Sequence, residues 1–105
     1  MRGALVTDAV LVGADLTKAY LRLARFEKSD MEGAYLNGAN LTGANLSEAN
    51  LSNAHLKRAD LNGANLSKAD LSRDDLSGAK AVTKKQLKSC RSLAGATLPE
   101  ASKHP

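Results

Sequence analysis

The sequence predicts an all-β coil, a narrow tube of short edges wound along one axis and closed at its C-terminal end by a short helix. Three observations predict it. Large apolar residues recur at every fifth position from Val6 to Leu76. Aromatic residues make up only 3% of the 105 residues (Phe26, Tyr20, Tyr35 and no tryptophan), so no core can be built by wedging rings together. Composition also changes near residue 80. Residues 1–79 carry nine Lys/Arg against ten Asp/Glu, whereas residues 80–105 carry six against one and hold both prolines.

The repeats come first along the chain. In steps of five the inward positions are Val6, Leu11, Leu16, Leu21, Phe26, Met31, Leu36, Leu41, Leu46, Leu51, Leu56, Leu61, Leu66, Leu71 and Leu76. Alanine stands two residues earlier at thirteen of these fifteen places, Ser29 and Asp74 being the exceptions. The residue between is Asn or Asp nine times. A period of five fits no straight element. On an α-helix it drifts by about 140° per repeat, and in a flat strand an odd period sends alternate leucines to opposite faces. All fifteen point inward only if the chain turns once per repeat. Asn, Asp and Gly suit such turns, and Gly occupies the fifth place in Gly13, Gly33, Gly38, Gly43, Gly63 and Gly78. Alanine fits because a narrow tube has no room for two large side chains per edge. Stacked coils then pair through their backbones at the usual ~4.8 Å strand spacing.

The tandem A(D/N)LXX pattern, seen in Ala39-Asn40-Leu41-Thr42-Gly43, Ala44-Asn45-Leu46-Ser47-Glu48 and Ala64-Asn65-Leu66-Ser67-Lys68, resembles the pentapeptide-repeat family over about residues 4–78. The resemblance implies a right-handed, four-sided β-helix with four pentapeptides per coil. Fifteen repeats would then make just under four coils, a rod of about 18 Å at strand spacing. The helical propensity of alanine and leucine is overridden by that register. Residues 1–81 form the repeat domain and residues 82–105 a cap and tail.

In the tail, Thr83 and Gln86 stand in the spacing of a capping box. They predict a helix over about 84–91, with Leu87 and Cys90 or Arg91 facing the last coil. Leu93 to Pro99 resembles the apolar segment that, in the family, folds back over the open end. Pro99-Glu100-Ala101 departs from the family's frequent Pro-Asp-Gly, which puts the final turn in question.

Function is less legible. A column spaced at twenty residues brings Asp15, Tyr35, His55 and Asp75 together. With no second histidine near, it reads as a solvated stack rather than a catalytic or metal site. Cys90 between Lys88 and Arg91 reads as a small hydrophobe rather than an activated thiolate. Lys84, Lys85, Lys88 and Arg91 read as a solvated cap face, since no aromatic interleaves them and no nucleic-acid motif is present. The informative irregularity lies on the outside of the first coils, where Leu5, Val10, Val12, Tyr20, Leu23 and Tyr35 stand at outward places. No outward place from 36 to 78 is apolar. Such a cluster suggests a covered surface, met by a protein partner or by self-association.

The reading is therefore a non-catalytic structural or interaction module, with no cofactor, metal or small-molecule substrate indicated. Two alternatives compete. One is the DNA-mimic, topoisomerase-protecting role of some family members. It would need roughly ten net negative charges on such a rod, against a balance of −1 over residues 1–79. The other is the C-terminal module of a longer protein. No apolar run approaches the ~18 residues of a membrane span, and Asp8 and Asp15 interrupt the start as a signal peptide. One cysteine allows no internal disulfide. The cytoplasm is the default compartment, although a processed lumenal or periplasmic form would leave the same sequence.

Overall fold

The computed structural model describes residues 10–99. Leu5, Val6 and the Glu100-Ala101 part of the final turn lie outside them. Parallel bridges join residues twenty apart, from Val10 with Asp30 to Asp60 with Lys80. One coil is thus four pentapeptides. Face 1 runs through Leu11, Met31, Leu51 and Leu71, and face 2 through Leu16, Leu36, Leu56 and Leu76. Face 3 runs through Leu21, Leu41 and Leu61, and face 4 through Phe26, Leu46 and Leu66. Along each face the backbone bonds point alternately up and down the axis. Leu11 N–H donates upward to Asp30 O at 2.7 Å, and Tyr35 N–H downward to Ala14 O at 2.8 Å. Each coil thereby satisfies its neighbour's polar backbone.

Inside, every repeat leucine from Leu21 to Leu76, with Phe26 and Met31, is buried, and the alanines from Ala24 to Ala79 fill the space beside them. Leu11 and Leu16, expected in the core, are only partly buried. Among the described residues they are stacked from one side alone.

The corners explain the two turn places. In each, the N–H of the next alanine donates back to the leucine carbonyl, as Ala44 N–H does to Leu41 O at 3.0 Å. The fifth-place residue is left-handed, as a type II turn requires of its third residue. This holds at all fourteen fifth places from Gly13 to Gly78, including Lys18, Leu23, Lys28, Glu48, Asn53, Arg58, Lys68 and Arg73. The Asn and Asp carboxamides and carboxylates close the same corners. All nine, from Asp15 to Asp75, accept the N–H of the residue two further on, at 2.9–3.3 Å. These are Asx turns, and they are the physical content of the second-place preference.

The cap is α1 (Lys84–Ser89). Its capping box is complete: Gln86 N–H donates to Thr83 Oγ1 at 3.1 Å, and Thr83 N–H to Gln86 Oε1 at 2.7 Å. Gln86 Nε2 also donates to Leu61 O and Ala64 O, at 2.8 and 3.1 Å, tying the helix to the coil beneath. Leu87 is buried, as expected. The helix stops two residues short of the expected 91, because Cys90 is extended (φ −67°, ψ 150°).

The segment after it does lie over the open end, but as a laddered edge rather than an apolar plug. It continues the coil. Leu71, Arg73 and Leu76 donate to the carbonyls of Ser92, Ala94 and Thr97 at 2.8–2.9 Å, and Asp70 pairs with Ser92 and Asp75 with Thr97. The spacing is 22 instead of 20 because α1 adds two residues to this circuit. The reason is backbone satisfaction: the upper row of the last coil needs acceptors, which an apolar plug would not supply.

Candidate interaction surface

The sequence treated the outward apolar residues as one cluster, whereas the coil distributes them. Val10 is at the centre of face 1 and Val12 at the corner between faces 1 and 2. Tyr35 is on face 2 one coil further on, Tyr20 on face 3, and Leu23 at the corner between faces 3 and 4. All five are exposed, Val10 at 76% and Tyr20 at 72%. They form a collar around three faces. Leu5 lies outside the described residues.

Leu23 has a second role. Its left-handed backbone (φ 62°) aims the side chain along the axis across Gly43 of the next coil. A Cβ on Gly43 would stand 2.6 Å from Leu23 Cδ2. The stems of Lys18, Arg58 and Arg73 cross Gly38, Gly78 and Gly95 in the same way, at 3.1–3.3 Å from the position of such a Cβ. Glycine at a fifth place is thus also room for the long residue one coil earlier. No five-residue pattern shows that pairing.

The face 2 column forms as expected. The Tyr35 and His55 rings stack at 4.7 Å with 2° between their planes. Asp75 is committed elsewhere, accepting from Ser77 Oγ at 2.6 Å and Ser77 N–H at 3.0 Å, and these bonds hold its carboxyl below the usual range. His55 supplies no Asx turn, and Lys57 N–H instead takes Asn37 Oδ1 from the previous coil at 2.9 Å. The aromatic pair replaces a turn-closing side chain with a stack.

At the other end, Lys84, Lys85, Lys88 and Arg91 are all exposed. Cys90 is half-buried, and burial pushes its thiol up to about 11. The charge of Asp74 pushes the thiol the same way, so nothing here activates it as a thiolate. An open groove of about 510 Å³ runs along the edge between faces 4 and 1, past Lys28, Glu48, Lys68 and Arg91. Among the described residues no group of three His, Cys, Asp or Glu side chains could hold a metal.

Sequence reasoning passed over Asp74. It stands inward, 1% exposed, where every other described repeat but that of Ser29 has alanine. Oδ1 accepts Ala54 N–H at 2.9 Å, and Oδ2 is buried without a partner. Desolvation pushes the carboxyl up to about 8, against the pull of the Ala54 bond and with a further push from Asp70. The signal available in the sequence was the break in the alanine column.

These features define a family. The family model for pentapeptide repeats matches residues 7–43 and 44–80, with eight copies, and the chain belongs to the pentapeptide-repeat family. Its β-helical architecture is shared by solved relatives. A pentapeptide repeat protein from the thylakoid lumen of Arabidopsis thaliana is 28% identical with a TM-score of 0.75, over 90% of this chain and 61% of that one. HetL, a pentapeptide repeat protein involved in heterocyst differentiation regulation in the cyanobacterium Nostoc, is 32% identical with a TM-score of 0.53, over 91% and 37%. The chain therefore spans less than two thirds of either relative. No curated protein is significantly similar to it. No helix among the described residues is long and apolar enough to cross a membrane.

Proposed function

We propose that the chain is a non-catalytic interaction module that engages a protein partner, most simply a second copy of itself, end-on through its first coils. The observation that carries this reading is the collar. Val10, Val12, Tyr20, Leu23 and Tyr35 are exposed around three faces of the first two coils, while every outward place from 36 to 78 is polar or glycine. A partner lying along one flank of a four-sided rod reaches two faces at most. Contact with all three calls for a partner that meets the first coils from their end and reaches round their sides. Covering that apolar area returns about 25 cal/mol per Å², and a head-to-head pair is the symmetric arrangement that uses the same surface twice.

Light scattering on the full chain and on the double variant Val10→Ser, Leu23→Ser tests the reading. The expected result is a dimer that becomes a monomer at unchanged circular dichroism. A wild-type chain that stays monomeric at high concentration, with the collar open to solvent, refutes the self-association.

A further inference from the structure

Within the described structure, the inward column before each leucine is alanine from Ala14 onward, broken only by Ser29 and Asp74. Asp74 is in the last complete coil, directly beneath the cap. Its two neighbouring backbone bonds, Asp74 N–H to Leu71 O and Asp75 N–H to Ala54 O, are each 3.2 Å, the longest in their respective series. The titratable groups that face it are Asp70, one repeat earlier, and Cys90, at the end of α1. Neither offers a positive charge. A carboxylate here has one N–H bond from Ala54 and an orphaned Oδ2, which is poor compensation in a dry tube.

Water would relieve the anion, and the cap is the element stacked directly on the Asp74 backbone. Thr97 N–H, in the cap's final edge, sits on Asp74 O at 2.8 Å. The cap is also less firmly anchored than the inner coils. Leu93, Leu98 and Cys90 are only partly buried against the core, whereas each inner coil is laddered on both sides. Local opening starts where buried contacts are fewest.

We propose that Asp74 is the latch of a proton-held cap: with its carboxyl neutral, residues 82–99 stay seated on the last coil, and its ionisation favours a state in which they lift, hydrate the carboxylate and bare the upper backbone row. The direction follows from proton binding. The seated carboxyl is raised to about 8, and a hydrated one titrates near 4. The seated state therefore holds the extra proton between those values. Opening becomes easier as pH rises through that window and levels off above it. A bared row of N–H groups is a template for another chain, so association at this end is expected to follow the same profile.

The test is the rate at which a maleimide modifies Cys90, the sole cysteine, in the full chain and in Asp74→Ala and Asp74→Asn. The ratio of wild type to variant removes the part of the thiol's titration that is independent of Asp74; the part that Asp74's own charge adds is absent from the hydrogen-exchange readout below. The expected ratio to Asp74→Ala climbs about tenfold per pH unit from 5 to 8 and is flat above, with Asp74→Asn behaving as Asp74→Ala. A ratio independent of pH, or an Asp74→Asn chain that opens with pH as wild type does, overturns the latch. Hydrogen exchange of the Leu71 and Leu76 amides, which donate to Ser92 O and Thr97 O, reads the same event without a thiol reagent. Protection factors for these two amides that do not fall between pH 5 and 8 in the wild type overturn it equally.

Discussion

An alanine and glycine scan across one repeat, residues 45–48, gives four neighbouring positions four different outcomes. Leu46 is 0% exposed and stacked between Phe26 and Leu66. Leu46→Ala leaves a hole that the laddered walls on either side cannot close, and the expected cost is in the upper part of the ~2–5 kcal/mol range for such truncations. Asn45 Oδ1 accepts Ser47 N–H at 3.0 Å. Asn45→Ala removes that acceptor but leaves the donor within reach of water, for a cost of about 1 kcal/mol. Ser47 donates nothing inward, so Ser47→Ala is expected within ~0.5 kcal/mol of wild type. Glu48 is left-handed, at φ 59°, and glycine relieves the Cβ strain. Glu48→Gly is therefore expected to stabilise by up to about 1 kcal/mol, against the ordinary rule that glycine destabilises regular structure. Urea denaturation followed by circular dichroism measures all four. If Asn45→Ala costs more than Leu46→Ala, or Glu48→Gly destabilises, the assignment of inward and corner places is wrong.

Other outcomes follow from the same geometry. Leu46→Asp or Leu61→Asp should abolish folding at room temperature, because an unpaired carboxylate enters a dry tube, whereas Asn62→Asp on the exposed surface should leave the melting temperature nearly unchanged. Gly43→Ala must push the exposed Leu23 tip aside, whereas the new Cβ of Gly63→Ala meets no atom closer than 3.9 Å; the crystal structure of Gly43→Ala should show Leu23 in another rotamer, and an unmoved Leu23 would remove the stacked-corner argument. Overall stability should fall by about 1.4 kcal/mol per pH unit between pH 5 and 8, because the raised Asp74 carboxyl binds its proton more tightly when folded than unfolded. In Asp74→Ala that slope should vanish. Deleting residues 82–105 should turn the rod into a species that associates end to end, seen by light scattering, since Leu71, Arg73 and Leu76 then lose the carbonyls they donate to.

The sequence by itself determined which side chains point inward, where the repeats give way to the cap, and how α1 begins. Period, composition and the Thr83 to Gln86 spacing are local properties, and each repeat obeys the same local rule. The collar residues were legible too, as departures from that rule. Their arrangement around three faces was not, because neighbours in the rod are twenty residues apart in the chain. The same separation hid the pairing of Leu23 with Gly43 and the bond from Lys57 to Asn37 that stands in for a missing Asx turn. The cap's continuation of the ladder depended on which backbone groups the last coil leaves unpaired. The state of Asp74 was likewise decided only by tertiary structure. An aspartate at an inward place is one letter among many Asp and Asn residues in the chain; its proton affinity is set by burial away from solvent with no cation facing it, and that exists only once the coil is closed.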